Sequence, residues 1–339
     1  MPSLAALDLG TNNCRLLVAR PLGDGFEVVD SFSRIVRLGE GLAASGWLKE
    51  RAMARTIAAL RVCARIMARH GVEQARCVAT EACRRARNGP EFLARVRRST
   101  GIELEVLEHE QEAELALLGC LPLIERSAGP ALLVDIGGGS TEILWLDQGA
   151  LAGGGPVSVS LPIGVVALSE AFTSEPDPST FETMVRHVRT AMEGVRVLRF
   201  GPGPPPAQLI GTSGTITTLA ALHLDLRRYD RRRIDGLVLD RAAVAAVSER
   251  LRAMTNAARA AHPCIGPGRA DLVVAGCAIL ESVLRTWPAT VLRVADRGLR
   301  EGILHGLMGH TLEAALHAQP GPGAAFVGLG PLAIGAAPA

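Results

Sequence analysis

Aromatic residues are scarce in this sequence: they make up 3% of the chain, with a single tyrosine. A surface that stacks the bases of single-stranded nucleic acid needs several exposed aromatic rings, so we expect no specific nucleic-acid partner. The sequence also lacks an apolar run of about 20 residues, the length that spans a bilayer. The first residues, MPSLAALDLG, carry no positive charge of the kind that opens a secretory signal. We therefore expect a cytoplasmic protein without a membrane partner.

Paired cysteines are lacking as well. The seven cysteines are scattered, and no two stand in a C-x-x-C pair, which argues against a disulfide framework or a zinc site. A strong charge of one sign is also missing, since the formal net charge is +2 and Lys49 is the only lysine. Apolar residues are abundant, at 48% of 339 residues. This is enough for two hydrophobic cores and hence for two domains.

An internal repeat organises the chain. Residues 8–19 (DLGTNNCRLLVA) align without a gap with residues 135–146 (DIGGGSTEILWL). Each segment follows an apolar run and ends in another, which predicts two β-hairpins whose turns begin with a carboxylate. A duplication of this size predicts two similarly folded domains that face each other, with both turns opening into a cleft. Each hairpin is followed by a third strand-like run and a glycine near a helix start, at 26–32 and 37–41 in the first copy and 157–161 and 162–165 in the second.

Helical spacing of apolar residues between the strand-like runs indicates an α/β fold. The clearest predicted helix ends at Gly71, a residue typical of helix C-caps. The proline-rich segment 201–206 predicts a surface loop, and the tail from 319 shows no periodic pattern. The predicted helices are 49–70, 91–99, 110–118, 180–198, 217–223, 241–254, 271–287 and 298–316.

The two hairpin turns carry groups that bind phosphate. Glycines let the backbone approach a ligand closely, and turn amides can form an anion-binding nest. A carboxylate such as Asp135 suits Mg²⁺, which prefers hard oxygen ligands, and Asp8 offers the same chemistry from the opposite lobe. The candidate phosphate-binding residues of these turns are Gly10, Thr11, Asn12 and Asn13 in the first and Gly137, Gly138, Gly139, Ser140 and Thr141 in the second.

A third glycine-containing turn follows an apolar run at 208–210 and precedes the predicted helix 217–223. A strand, a glycine turn and a helix N-terminus in succession are typical of anion-binding sites. Its candidate phosphate-binding residues are Gly211, Thr212, Ser213, Gly214 and Thr215.

The paired turns resemble those of the actin-like and sugar-kinase-like superfamily, and the sequence is most similar to its exopolyphosphatase and guanosine-pentaphosphatase branch. The resemblance runs in the family's order from the first residues to about Leu307, so it is more specific than any single motif. Five further segments carry it: 79–88 (ATEACRRARN), 111–115 (QEAEL), 211–215 (GTSGT), 267–271 (PGRAD) and 298–302 (GLREG).

The resemblance implies an α/β fold with two ribonuclease-H-like domains, as in the actin-like ATPase superfamily, around a central cleft. The N-terminal domain is expected at residues 1–122, with the C-terminal helix 298–316 packing back on it. The second domain is expected at 123–297, and residues 317–339 are expected to form a disordered tail. The family also implies a homodimer.

The resemblance further assigns roles within the turns. Glu112 matches the family's catalytic base, which activates the attacking water. Asp135 and Glu142 match its metal-binding and water-positioning carboxylates, so we expect Mg²⁺, or Mn²⁺, at Asp135, Asp8 and Glu142. Arg84 stands where the family places a phosphate-gripping arginine.

These parts predict a hydrolase that releases terminal orthophosphate from inorganic polyphosphate by direct attack of water. Guanosine pentaphosphate is an alternative substrate, because the same parts serve it. A sugar or acid kinase on the same frame is disfavoured, since Glu112 stands on a helix rather than beside an acceptor site. A non-enzymatic phosphate or alarmone sensor is disfavoured because Glu112, Asp135 and Glu142 are all present.

The assignment of the base has competitors. Gln111 stands where the family often has a first glutamate, and the Ser-Gly that usually precedes this helix is absent. Glu110 and Glu114 therefore compete with Glu112 for the role of the base.

Several arginines have two interpretations. The basic run Arg227–Arg233 is read as a solvated loop rather than as a guide for a polyanion, because charge runs are weak motifs. Arg15, which aligns with Glu142, either faces substrate or forms a salt bridge. Arg269 and Asp271 are expected to pair and so to hold their loop, and contact with substrate is the less favoured alternative.

Overall fold

Two mixed β-sheets form the frame of the protein, seen in a computed structural model that describes residues 2–147, 156–172, 178–196 and 205–317. The first sheet has five strands in the order β3-β2-β1-β4-β5. Strand β2 is antiparallel to both of its neighbours, whereas β1, β4 and β5 are parallel. The strands are β1 (Ser3–Leu9), β2 (Asn13–Leu22), β3 (Gly25–Ile35), β4 (Val72–Ala79) and β5 (Glu105–Val106).

The second sheet repeats this order. Its six strands run β10-β11-β9-β6-β7-β8, so that β8-β7-β6-β9-β11 matches β3-β2-β1-β4-β5, and β10 adds an antiparallel edge. The predicted α/β fold with two ribonuclease-H-like, actin-like units is confirmed. The strands are β6 (Ala131–Ile136), β7 (Thr141–Leu146), β8 (Val157–Leu161), β9 (Gln208–Thr212), β10 (Val238–Asp240) and β11 (Val291–Ala295).

Strand register confirms the gapless repeat. In the first hairpin Asp8 pairs with Arg15, and in the second Asp135 pairs with Glu142. The turns close in the same way, because the Gly10 amide donates to the carbonyl of Asn13, while the Gly137 amide donates to that of Ser140. The chain therefore presents the same polar turn twice, once from each sheet.

Helices cover the sheets wherever apolar residues recur at helical spacing. Helix α2 ends beside Gly71, whose φ of 56° is the left-handed conformation that glycine tolerates best. The helices are α1 (Leu42–Ser45), α2 (Glu50–Arg69), α3 (Glu81–Arg85), α4 (Gly89–Thr100), α5 (His109–Cys120), α6 (Val165–Ala171), α7 (Pro178–Val195), α8 (Ser213–His223), α9 (Arg231–Ile234), α10 (Arg241–Ala253), α11 (Asn256–Ala261), α12 (Val273–Thr286), α13 (Leu299–Leu307) and α14 (Leu312–His317).

The prediction of a single helix at residues 298–316 is wrong. The chain forms α13 and then α14, separated by a turn in which Gly309 has a φ of 84° and the His310 amide donates to the His305 carbonyl. The predicted tail 317–339 lies outside the described residues except for His317, and so do residues 201–204 of the predicted loop.

Helices α5 and α13 join the two halves of the molecule. Leu299, Ile303 and Leu304 of α13 pack into the apolar cluster on the first sheet. Leu117 and Cys120 of α5 pack into the cluster on the second sheet. The two helices are in contact with each other. The cleft lies between the two sheets, at the turn ends of the hairpins.

None of the helices in the described part of the chain combines the length and the apolar composition that crossing a bilayer requires.

Candidate active site

A cavity of about 1240 Å³ lies between the two sheets. Both hairpin turns open into it, as the repeat predicted, and so does the start of α8. The basic segment 228–232, the loop 263–269 and the segment 296–301 complete its wall together with β3. One cavity thus collects nearly all of the polar turns that the sequence singled out.

The hairpin turns are fixed by backbone hydrogen bonds that use their carbonyl groups. In the first copy the Gly39 amide donates to the carbonyl of Thr11 at 2.9 Å. In the second, the Val165 amide donates to the carbonyl of Gly137 at 3.0 Å. A Cβ on Gly164 would lie 2.4 Å from the backbone of Gly138, so this approach requires glycine.

The first turn holds buried polar atoms that have no protein partner. Thr11 Oγ1, Asn12 Oδ1 and Asn13 Oδ1 are shielded from solvent, and none of them makes a hydrogen bond within the described residues. Buried polar groups are rarely left unpaired, because the loss of their hydrogen bonds to water is not compensated. These three atoms therefore mark a place for a polar ligand.

The third turn differs in part from the prediction. Thr212, Ser213, Gly214 and Thr215 line the cavity, and α8 starts at Ser213 rather than at 217. Gly211 was predicted to bind phosphate but lies in β9, where a Cβ would meet the side chains of Leu292 and Ile216. It serves packing, because its strand carries it below the cavity wall.

The Thr141 hydroxyl forms its hydrogen bond within the protein. It donates to the carbonyl of Ile163 at 2.7 Å, and the residue is fully buried. The neighbouring Ser140 does line the cavity. Of these two residues, only Ser140 lines the cavity, and its side chain forms a hydrogen bond with Glu142.

Three carboxylates stand where the hairpin strands meet the cavity. Burial raises the pKa of Asp135 to about 6, while Arg15 opposes the rise. Burial, and after it the charge of Asp135, raises the pKa of Glu142 to about 7, and burial also raises the pKa of Asp8. Such crowded, buried carboxylates favour a bound cation, which stabilises their charged forms.

A second group of potential cation ligands includes a residue that the sequence analysis passed over. One ligand atom each of His109, Glu112 and Glu142 lie within 4.8 Å of one another. Asp8 and Asp135, which were predicted with Glu142 to bind the metal, line the same cavity. The donors present therefore fit a divalent cation at this end of the cleft.

The environment of the three candidate bases differs. Glu112 is buried and lines the cavity, whereas Glu110 and Glu114 are exposed to solvent. Gln111 caps its own helix, because its side-chain oxygen accepts the amide of Glu108. This capping box explains why the helix forms without the Ser-Gly of the family. The geometry favours Glu112 as the base.

Burial and the nearby charge of Glu142 raise the pKa of Glu112 well above its usual range. Arg84 opposes this rise, since both of its terminal nitrogens lie 3.3 Å from Glu112 Oε2. Among the described residues, the cavity wall includes Glu81 and Glu112 but not Arg84. Arg84 was predicted to grip phosphate, but its guanidinium is bound by protein acceptors beside Glu112.

Arginines other than Arg84 do line the cavity. Within the described residues, Arg15, Arg269 and Arg300 line its wall and form no side-chain hydrogen bond or ion pair. A Cβ on Gly214 would lie 3.8 Å from Arg15 and 3.9 Å from Arg269, so both guanidinium groups lie at the N-terminus of α8. Unpaired cations at a helix N-terminus favour an anionic ligand.

The expected pair of Arg269 and Asp271 does not form. Asp271 accepts instead from Arg37 at 2.5 Å, and Arg37 also donates to the carbonyl of Gly268. Arg37 belongs to the first lobe and is 234 positions away in sequence. The loop is therefore held to the opposite lobe, which leaves Arg269 facing the cavity.

The basic run is more ordered than a solvated loop. Arg231 donates to Glu301 at 2.6 Å and lies 3.7 Å from Asp296, which ties the run to the segment before α13. Although burial alone raises the pKa of Glu301, the charges of Arg231 and Arg300 lower it to about 2. Arg228 and Arg232 lie on the cavity wall.

Together, the duplicated sheets and the cavity between them define the two-lobed actin-like class of folds. A profile described as the Ppx/GppA phosphatase family matches residues 17–311. The chain belongs to the Ppx/GppA phosphatase family.

Similar proteins agree with this membership. The chain is 34% identical over 322 residues to exopolyphosphatase 2 of Mycobacterium tuberculosis, covering 90% of this chain and 98% of that protein. A crystal structure of the Aquifex aeolicus family member is 30% identical, with a TM-score of 0.74 and coverage of 91% and 97% of the two chains. An exopolyphosphatase structure from Cytophaga hutchinsonii has a TM-score of 0.82 at 25% identity, covering 91% and 99%.

Sequence reasoning missed two site residues. His109 is one helical turn before Glu112, and this i, i+3 spacing on a helix start was the available signal. Arg300 stands within the GLREG segment that carried the family resemblance, but its orientation into the cavity depends on how α13 packs. No pattern in the sequence specifies that orientation.

Proposed function

We propose that this protein is an exopolyphosphatase, which releases terminal orthophosphate from inorganic polyphosphate by attack of water. The observation that carries the proposal is the buried carboxylate of Glu112, which faces the same cavity as Asp135, Glu142 and the phosphate-binding turns. Two of the curated relatives with closely matching lengths carry the name exopolyphosphatase.

The cavity suits a polyanion better than a neutral substrate. Within the described part of the chain, Arg15, Arg269 and Arg300 have no hydrogen-bond or ion-pair partner, and the N-terminus of α8 lies at the same wall of the cavity. Arg228 and Arg232 extend the positive charge along the wall. A chain of phosphates can therefore contact successive cations while its terminal phosphate reaches the turns.

In the proposed reaction, Glu112 accepts a proton from the attacking water. Oε2 of Glu112 is bound by Arg84, and no described residue forms a hydrogen bond to Oε1, which leaves that oxygen for the water. The hydroxyls of Thr11, Ser140 and Thr215 and the glycine amides of the turns hold the phosphoryl oxygens. Attack breaks the phosphoanhydride bond, and the shortened polyphosphate leaves as the anion.

Mg²⁺, or Mn²⁺, is the proposed cofactor, held by Asp8, Asp135 and Glu142. When bound, it supplies positive charge that neutralises phosphoryl oxygens and these buried carboxylates.

Glu112→Gln tests the proposal. We expect its kcat for polyphosphate to fall about 10²- to 10⁴-fold, the usual contribution of a general base. Glu110→Gln, an exposed neighbour in the same helix, is the matched control and should keep wild-type activity. Phosphate release is measured from long polyphosphate, tripolyphosphate and guanosine pentaphosphate, with Mg²⁺ and with EDTA.

The pattern of substrates separates the alternatives. Faster release from guanosine pentaphosphate than from either polyphosphate would contradict the exopolyphosphatase proposal and identify an alarmone hydrolase. Binding of labelled polyphosphate without release from any substrate would identify a sensor. The homodimer and the cytoplasmic location stay predictions, and light scattering on the purified protein measures the first.

A further inference from the structure

Arg84 is surrounded by acceptors from three parts of the chain. Its Nη2 lies 2.9 Å from Glu81 Oε2 and 2.8 Å from His109 Nδ1, and both terminal nitrogens lie 3.3 Å from Glu112 Oε2. Nη1 also donates to the carbonyl of Leu107. The side chain is 12% exposed. The guanidinium is thus held in one place, directly against the proposed base.

The contact with Arg84 fixes the chemical state of His109. A guanidinium only donates hydrogen bonds and stays charged, so Nδ1 of His109 must be the acceptor. The imidazole is therefore neutral, with its hydrogen on Nε2, which lies 3.8 Å from Glu81 Oε2. A neutral acceptor holds Arg84 without adding a negative charge next to Glu112.

We propose that His109 is a positioning residue, which holds Arg84 against Glu112 and so keeps the Glu112 carboxylate aimed into the cavity. This inference rests on the proposed function, because it assigns Glu112 the role of base. His109 lies in the segment where this sequence lacks the Ser-Gly that usually precedes the helix in the family that it resembles. His109 is the first residue of α5, and its i, i+3 spacing brings it beside Glu112.

The alternative role for His109 is that of a metal ligand, since His109, Glu112 and Glu142 are close enough to share a cation. The contact with Arg84 argues against it. The Nδ1 lone pair already accepts from a guanidinium at 2.8 Å, and a divalent cation at that atom would have to displace this positive group.

Two replacements that differ only in where they place an acceptor test the proposal. Asparagine puts its Oδ1 near the position of Nδ1, whereas glutamine extends past it. We expect His109→Gln and His109→Ala to lower kcat for polyphosphate roughly 10- to 100-fold, the usual effect of removing such a supporting contact, with KM unchanged. His109→Asn should restore most of kcat. His223→Ala, an exposed histidine at the end of α8, is the matched control.

Two readouts do not depend on activity. Nitrogen-15 NMR of the substrate-free protein should show His109 as the neutral tautomer protonated on Nε2. Binding of Mn²⁺, followed by electron paramagnetic resonance, should be equal in wild type and His109→Ala.

An Nδ1-protonated ring, weaker Mn²⁺ binding in His109→Ala, or an unchanged kcat in both His109→Ala and His109→Gln would each overturn the proposal. If wild type releases no phosphate while the ring has the expected tautomer, the proposed function fails and the Arg84 contact stands. Thermal denaturation of each variant separates these effects from misfolding.

Discussion

At the scale of single residues, the carboxylates of Asp135 and Glu142 destabilise the folded protein when they are charged, because burial in the cavity disfavours their charged forms. Burial is the main cause that raises the pKa of Glu142 from 4.5 to about 7. A carboxyl group whose pKa is higher in the folded than in the unfolded protein stabilises the folded state when it is protonated. For Glu142 this contribution is fully present below pH 4.5. The contribution is lost as the pH rises through about 7. The same sign holds for Asp135, whose pKa is raised to about 6.

Glu142→Gln should therefore make the metal-free protein more stable at pH 8 while abolishing catalysis. The gain in unfolding free energy is at most about 3 kcal/mol, the equivalent of the pKa shift, and should vanish near pH 4.5. Urea unfolding in EDTA at both pH values measures it. Glu110→Gln, which alters an exposed carboxylate, should change neither value. A variant that is less stable than wild type at pH 8 would contradict the electrostatic explanation.

At the scale of elements, the segment before and within α9 combines an anchor with two free charges. Arg231 is the anchor, through Glu301 and Asp296. Arg228 and Arg232 face the cavity, while Arg227 in the same run is exposed and does not line it. An anchored segment can hold its charges along the path of an extended anion.

Replacing Arg228 and Arg232 together by alanine should raise KM for long polyphosphate about tenfold, because long-range charge attraction is lost. KM for tripolyphosphate should change little, since a short chain fills only the inner cavity. Added salt should also affect the variant less than wild type. Arg227→Ala is the control and should match wild type. Equal effects on both substrates would show that the two arginines serve the catalytic end instead.

At the scale of the whole molecule, the two lobes are joined where α5 crosses α13. The backbones approach so closely that a Cβ on Gly302 would lie 1.9 Å from the carbonyl oxygen of Leu115, and one on Gly119 would lie 2.0 Å from that of Gly298. Helix α13 packs on the first sheet, whereas α5 packs on the second sheet. The distance between the two helices therefore sets the width of the cleft.

Gly302→Ala should separate the crossing helices, lower the unfolding free energy by about 3 kcal/mol and reduce activity, because the turns no longer meet. Urea unfolding and small-angle scattering measure the two effects. Gly306→Ala lies in the same helix with nothing within 4 Å of the added carbon, so it should stabilise by about 0.5–1 kcal/mol. A Gly302→Ala protein with wild-type stability would show that the helices can separate freely.

Several interactions were decided by tertiary structure. Glu110, Glu112 and Glu114 are adjacent in sequence and alike in chemistry, and only the packing of α5 buries Glu112. The contact between Arg84 and Glu112 joins residues 28 positions apart, and that between Arg37 and Asp271 joins residues 234 apart. Such partners depend on how elements pack, which no short window of sequence records.

The sequence by itself determined the duplicated frame: two hairpins, their carboxylate-led turns and the third strands. These features depend on strand alternation and turn chemistry within about a dozen residues, so they can be read locally. Only the tertiary structure decided three other features. These are the break between α13 and α14, the position of Gly211 and Thr141 outside the cavity lining, and the placement of Arg228 and Arg232 on the cavity wall. The physical reason is that burial and charge pairing depend on neighbours from the other sheet, which become neighbours only after the lobes have assembled.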